Sequence, residues 1–153
     1  MLVGYIQDGK HSGIDKYLLG FIKIAHENGV ALDLLTDEVT SEMSAYLSKF
    51  GYGLVAVPSL KKPLAQYKAI KRIIQKGCYD GVYLNISESF NCMGLLAAKN
   101  CGIPVRIVHS HSSGVDRTNK YVRIARETLH KLFRHCVSSL ATQRLACSSV
   151  AGK

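Results

Sequence analysis

The chain has no tryptophan, three prolines, and far fewer acidic than basic side chains: 11 Asp and Glu against 20 Lys and Arg. Each shortage excludes something. With aromatics at 8%, the basic residues have no stacking platform beside them, and no nucleic-acid recognition motif accompanies them, so nucleic acid is not the expected partner. There is no Pro-rich linker, low-complexity segment or internal repeat. No apolar run approaches the roughly 18 residues of a membrane-spanning helix. The N-terminus lacks a basic region followed by a long apolar stretch, so no signal peptide is expected. The cysteines are Cys78, Cys92, Cys101, Cys136 and Cys147, an odd set without a CxxC pair. They read as reduced thiols of a cytoplasmic protein, and zinc is not expected. Neither GxGxxG nor GxxxxGK[ST] occurs, which removes support for a nicotinamide cofactor or a P-loop nucleotide. No cofactor is expected.

What remains is a 153-residue chain with 47% hydrophobic residues and a formal charge of +9. That length and composition suit one domain with a normal core. The charge predicts an anionic partner, whether phosphate groups, nucleic acid or an acidic membrane surface, and does not by itself choose among them.

Short apolar runs alternate with helical periodicity along the chain. The strands are expected at Leu2 to Ile6, Ala31 to Leu35, Leu54 to Val57, Gly81 to Asn85, Pro104 to Val108 and Arg144 to Cys147. Between them, apolar residues recur at helical spacing, as in Ile14, Tyr17, Leu18, Phe21, Ile22 and Ala25. A second helix runs from Ser41 to Phe50; a third carries Leu64, Tyr67, Ile70, Ile73 and Ile74; a fourth is capped by Ser87 or Ser89. The last helix carries Val122, Ala125, Leu129, Leu132, Phe133, Cys136, Val137 and Leu140, a stripe regular enough to be buried against the sheet. Crossovers of this length imply a parallel sheet with helices on both faces, a Rossmann-like three-layer α/β/α sandwich, with expected strand order 3-2-1-4-5-6. The strands are near-continuous apolar runs, as doubly covered strands should be.

Ligands of open α/β sheets bind outside the carboxyl ends of the strands. At such an end stands V-R-I-V-H-S-H-S-S, Val105 to Ser113. Alternation in an extended chain puts His109 and His111 on the same side. No third metal ligand is apparent, and Ser110 lies on no G-x-S-x-G elbow. The candidate role is hydrogen bonding to a substrate, with Ser110 and Ser112 beside them; the alternative is a histidine satisfied inside the fold. The first loop, Q-D-G-K-H-S-G, joins the first strand to the first helix, where helix N–H groups face an anion. There, Ser12 and Gly13 are candidate phosphate or sugar contacts. Lys120, Arg123, Lys131 and Arg134 align on one face of the last helix, a candidate surface for anionic lipid.

The segments S-G-I-D-K-Y-L-L, Y-D-G-V-Y-L-N, G-I-P-V-R-I-V-H-S-H-S and A-C-S together resemble the N-terminal half of a GT-B glycosyltransferase, most of all the retaining family-four enzymes of capsular and exopolysaccharide assembly. The resemblance covers nearly the whole chain. It implies that residues 1–153 are an acceptor-side, N-terminal Rossmann-like domain, with the C-terminal donor-binding domain absent from this sequence. The activity implied is sugar transfer from a nucleotide-sugar donor to a lipid-linked saccharide, by a protein of the cytoplasm that is peripheral on the inner face of the membrane. Ser12 and Gly13 then match the family's glycine pair near the phosphates, and His109 or His111 matches a cleft histidine. Asn85, closing the Y-D-G-V-Y-L-N strand at the same edge, joins the candidate substrate contacts. The sequence departs from the family at Ser12, at Asp15, where Glu is usual, and at Tyr83, where His is frequent. The rival reading is a non-catalytic Rossmann-like module that docks on a partner or an anionic membrane.

Overall fold

Strands that are apolar on both sides need cover on both sides, and crossovers supply it. The computed structural model describes residues 1–7, 12–111 and 120–148. In chain order the elements are β1 (Leu2–Gly4), α1 (Gly13–Glu27), β2 (Asp33–Thr36), α2 (Ser41–Ser48), β3 (Gly53–Ala56), α3 (Pro63–Lys76), β4 (Gly81–Ile86), α4 (Met93–Asn100), β5 (Val105–Ser110), α5 (Lys120–Leu140) and β6 (Gln143–Ala146). The six strands form one sheet in the order β3-β2-β1-β4-β5-β6, and every pairing is parallel. The α/β/α architecture and the strand order are those expected.

Two buried clusters line the two faces. Val3, Leu34 and Tyr83 of the sheet meet Leu18, Ile22 and Ala25 of α1 and Met43 and Leu47 of α2. Leu2, Leu35, Val82, Leu84, Ile86 and Val108 meet Ile70 and Ile74 of α3, Leu95 and Ala98 of α4, and Val137 and Leu140 of α5. All six residues of β4 are buried, which makes it the central strand of the sandwich. Each Leu or Ile taken fully out of water here contributes about 1.5–3 kcal/mol. Gly94 is where α4 comes down on the sheet: a Cβ there would lie 2.6 Å from Leu84 Cδ1.

Two expectations are corrected. Neither Ser87 nor Ser89 caps α4; its N-cap is Cys92, without a side-chain cap bond, because Ser89 is bonded to His130 of α5 instead. The stripe of α5 is not buried along its length. Val137 and Leu140 are buried, with Phe133 packed beside them, but Leu132 is 67% exposed and Val122 and Leu129 are also open. The cause is length. A helix of 21 residues spans about 32 Å, whereas strands of four to six residues span only about 13–20 Å. The sheet therefore covers the end of α5 and leaves the beginning uncovered. β6 is exposed at all four positions, as the outermost strand of the sheet.

Candidate functional site

Side chains alternate along a strand, so residues of one parity share a face. Tyr83 and Asn85 of β4 and His109 of β5 share the α1 face, where Asn85 stands opposite His109 and Tyr83 opposite Ile107. His111 follows on the same parity; its ring centroid lies 4.1 Å from that of His109. Tyr17 of α1 covers the pair, 5.0 Å from His109 and 5.5 Å from His111, edge-on to both. Two strand ends and one helix thus bring two imidazoles, two phenols and an amide together at the carboxyl edge of the sheet.

The hydrogen bonds fix much of their chemistry. Asn85 Nδ2 donates to the Gly4 carbonyl at 2.9 Å. A carbonyl only accepts, so the amide orientation is set and Asn85 Oδ1 must face His111. It lies 2.8 Å from His111 Nε2, which must then carry the proton. Neutral His111 is therefore the Nε2–H tautomer, with its lone pair on Nδ1. His109 is held through its other nitrogen: Tyr83 Oη is 2.7 Å from His109 Nδ1, and Tyr17 Oη is 2.7 Å from Tyr83 Oη. Burial lowers the pKa of His109; burial, and then the charge His109 would carry, lowers that of His111. Both rings are held toward the neutral form, suited to hydrogen bonding rather than to permanent charge. Burial, and then the bond to Tyr17, push the Tyr83 phenol above its ordinary value, so it remains a hydroxyl. Among the described residues, no group of three His, Cys, Asp or Glu side chains stands ready to hold a metal.

The start of α1 is built differently from a bare phosphate cradle. Ser12 is its N-cap, and the hydroxyl accepts from the Asp15 N–H at 2.9 Å. Asp15 is fully buried. Its Oδ1 accepts from the Gln7 N–H at 3.0 Å, and its Oδ2 has no hydrogen-bond partner among the described residues. The positive end of the helix dipole thus already faces a carboxylate. Gly13 is exposed at the first helical position.

On the other face, the chain after β4 is tied to α5. Arg126 grips Glu88 with two bonds, one of 2.9 Å from Nε to Oε1, and lies over the Phe90 ring at 5.1 Å. Ser89 N–H donates to His130 Nδ1 at 3.0 Å, and the Ser89 hydroxyl bonds the His130 carbonyl. A backbone N–H can only donate, so this His130 nitrogen is unprotonated. Lys120, Arg123, Lys131 and Arg134 are all exposed, and Arg123 has a carboxylate neighbour, Glu127 at 3.7 Å.

Of the candidate residues, the fold brings His109, His111 and Asn85 together. Ser110 ends β5 at the same edge, half-buried. Ser12 and Gly13 lie at the α1 start. Ser112 lies outside the described residues, as do Asp8 to His11 of the first loop. Tyr17 was not among the candidates, and Asp15 and Tyr83 entered only as departures from the family pattern. Tyr83 does carry a readable signal: it shares the parity of Asn85 in a strand pointing at the histidine edge. Tyr17 reads as an ordinary member of an apolar stripe.

No family model matches the chain, and no curated protein matches it. Solved structures do. MurG of Acinetobacter baumannii superposes with a TM-score of 0.62 at 15% identity, over 96% of this chain and 40% of MurG. The UDP-GlcNAc 2-epimerase of Neisseria meningitidis, solved bound to UDP-GlcNAc, superposes with a TM-score of 0.57 at 15% identity over 98% of this chain. A protein of Listeria monocytogenes described as a UDP-N-acetylglucosamine 2-epimerase gives 0.56 at 13% identity. The chain spans about 40% of the length of each. What is shared is the fold: a Rossmann-like α/β/α unit of the GT-B kind.

Proposed function

We propose that this chain is the acceptor-side domain of a glycosyltransferase that works with a donor-binding domain, transferring a sugar from a nucleotide sugar to a lipid-linked saccharide in cell-surface polysaccharide synthesis. The observation that carries this reading is the pair of neutral, oppositely anchored imidazoles at the carboxyl edge of β4 and β5, roofed by α1. Such a pair is suited to grip sugar hydroxyls and to orient them without a metal or a protein nucleophile. His109 and His111 are the proposed substrate contacts. Asn85 holds His111, Ser110 lies between the two histidines in the chain, and Ser112 remains a substrate contact proposed from the sequence alone. Ser12 and Gly13 border the same edge from α1. The retaining family-four, capsular or exopolysaccharide assignment is the finer form of the proposal, and it rests on the sequence resemblance.

The test is a transfer assay. The isolated chain should turn over no nucleotide sugar, whereas the chain with its donor-binding domain should glycosylate a lipid-diphosphate sugar. His111→Ala should lower kcat/KM by roughly a hundredfold, the usual cost of one positioned polar group. Transfer by the isolated chain at an enzymatic rate would end this division of labour.

The second reading, a docking module for an anionic membrane, is favoured by one observation. The uncovered length of α5 presents Tyr121 (83% exposed), Ile124 (48%) and Leu132 (67%) beside Lys120, Arg123, Lys131 and Arg134. Apolar side chains next to exposed cations suit a negatively charged lipid surface. The two readings are compatible, because a lipid-linked acceptor sits at such a surface. A peripheral position on the inner face of the cell membrane would follow.

A further inference from the structure

Tyr83 is the one buried residue at the candidate site whose hydroxyl touches both an imidazole and a second hydroxyl. It is 2% exposed, while Tyr17, beyond it, is 38% exposed. A phenol has one proton to give. In the row Tyr17 Oη, Tyr83 Oη and His109 Nδ1, with 2.7 Å at each step, the central hydroxyl must donate to one neighbour and accept from the other. Only two arrangements satisfy that. In the first, Tyr17 donates to Tyr83 and Tyr83 donates to His109 Nδ1, leaving the imidazole proton on Nε2. In the second, the direction is reversed and the imidazole proton sits on Nδ1.

We propose that Tyr17 and Tyr83 form a two-hydroxyl proton relay that runs from the protein surface to the inner nitrogen of His109, setting its tautomer and replacing the proton that its outer nitrogen gives to a bound ligand. The inference rests on the sugar-transfer reading for the identity of that ligand, an anionic phosphate oxygen, but not for the relay itself. The balance is closed. The His109 Nε2–H bond breaks as the proton passes to the ligand oxygen, and the Tyr83 O–H proton moves to Nδ1. The Tyr17 proton moves to the Tyr83 oxygen, and a solvent proton restores Tyr17. One proton enters, one leaves, and no oxidant or further reactant is needed.

The physical reason for such a device is the neighbourhood. Protonating His109 outright would place a cation in a buried position 4.1 Å from the ring of His111, with no carboxylate among its described hydrogen-bond partners. Passing a proton in on one nitrogen as another leaves on the opposite one avoids that charge. His111 differs: its inner nitrogen faces an amide oxygen, which has no proton to pass. The two rings, alike in sequence, therefore have different work. His111 keeps a fixed tautomer, and His109 rests as the Nε2–H form and changes tautomer only as its outer proton passes to the ligand. Tyr17 and Tyr83 are positioning residues, since neither is argued to touch the ligand.

The test is imidazole nitrogen NMR on the 153-residue chain, which needs no substrate. At pH 8 wild type should show His111 and His109 both as Nε2–H tautomers, and His109 should titrate with a single averaged signal. Tyr83→Phe should abolish the tautomer preference of His109 and leave that of His111 unchanged. Tyr17→Phe, a surface change that spares the fold, should keep the tautomer but split the His109 titration into separate neutral and charged signals, because protons then reach Nδ1 only by local opening. A wild-type His109 carrying its proton on Nδ1 would overturn the proposal, as would a His109 titration identical in wild type and Tyr17→Phe. Failure of sugar transfer with these signatures intact would count against the functional reading alone.

Discussion

Asn85→Ala probes the point where three strand ends are tied together. The amide bonds the Gly4 carbonyl of β1 and His111 just past β5, and it is 4% exposed. Each such bond contributes about 0.5–1.5 kcal/mol net, and a buried partner left unpaired costs about 1–3 kcal/mol. Two lost bonds and the stranded Gly4 carbonyl together predict a loss of about 2–4 kcal/mol. For a domain of this size that is a fall in Tm of roughly 5–15 °C. Urea unfolding at constant m-value gives the free energy directly. The same variant should release His111 from its single tautomer, which NMR reads independently. A loss under about 1 kcal/mol, with the His111 tautomer unchanged, would refute the role given to Asn85. Asn85→Asp sharpens the test: its carboxylate still accepts from His111 but sets an anionic oxygen against the Gly4 carbonyl. Its deficit should therefore shrink at low pH, as the neutral acid regains a proton to donate.

Gly94→Ala should cost about 1–3 kcal/mol by overpacking α4 against Leu84, as read by urea unfolding; an unchanged midpoint would mean that Leu84 gives way freely. His109, His111 and His130 all have pKa values lowered first by burial. The unfolded chain then binds more protons than the folded one below the ordinary histidine pKa of about 6.5. The stability these groups contribute is complete above that pH and is lost as pH falls through their folded values, so the unfolding midpoint should drop between pH 7 and pH 5. The bond from Ser89 N–H to His130 should open over the same range, seen as faster amide exchange at Ser89. Binding to anionic vesicles should fall steeply with salt, given screening over roughly 8 Å at physiological ionic strength. It should weaken in the Arg123→Glu, Arg134→Glu double variant and, because the face is also apolar, in Leu132→Asn. Equal sedimentation of all three proteins would leave α5 as an ordinary solvated helix.

The fold was largely legible because its signals are local. Continuous apolar runs such as Gly81 to Asn85, punctuated by Gly29, Gly77 and Gly102, mark strands between helices, and right-handed crossovers leave few strand orders. Gly29 and Gly102 do take positive φ at helix ends, 68° and 74°. The shared side of His109 and His111 also follows from simple alternation. What escaped depends on distance. Tyr17 meets Tyr83 across 66 residues and Asn85 meets Gly4 across 81, and no spacing rule reaches that far. The α5 stripe misled for a related reason. Periodicity shows that a helix has an apolar side, but whether the sheet reaches that side depends on the relative lengths of the two elements. Ser89 looked like a helix cap because its chemistry suits one, yet its hydroxyl and N–H found His130 of a later helix.

The central claim is that the β4–β5 edge under α1 binds the acceptor of a sugar transfer. Titration of the chain with a short-chain prenyl-diphosphate sugar, followed through the imidazole signals of His109, His111 and the distant His26, addresses it most directly. The account predicts saturable shifts at His109 and His111, none at His26, and a much weaker response to a nucleotide sugar. Saturable binding that leaves His109 and His111 unmoved, or no binding at all, would contradict it.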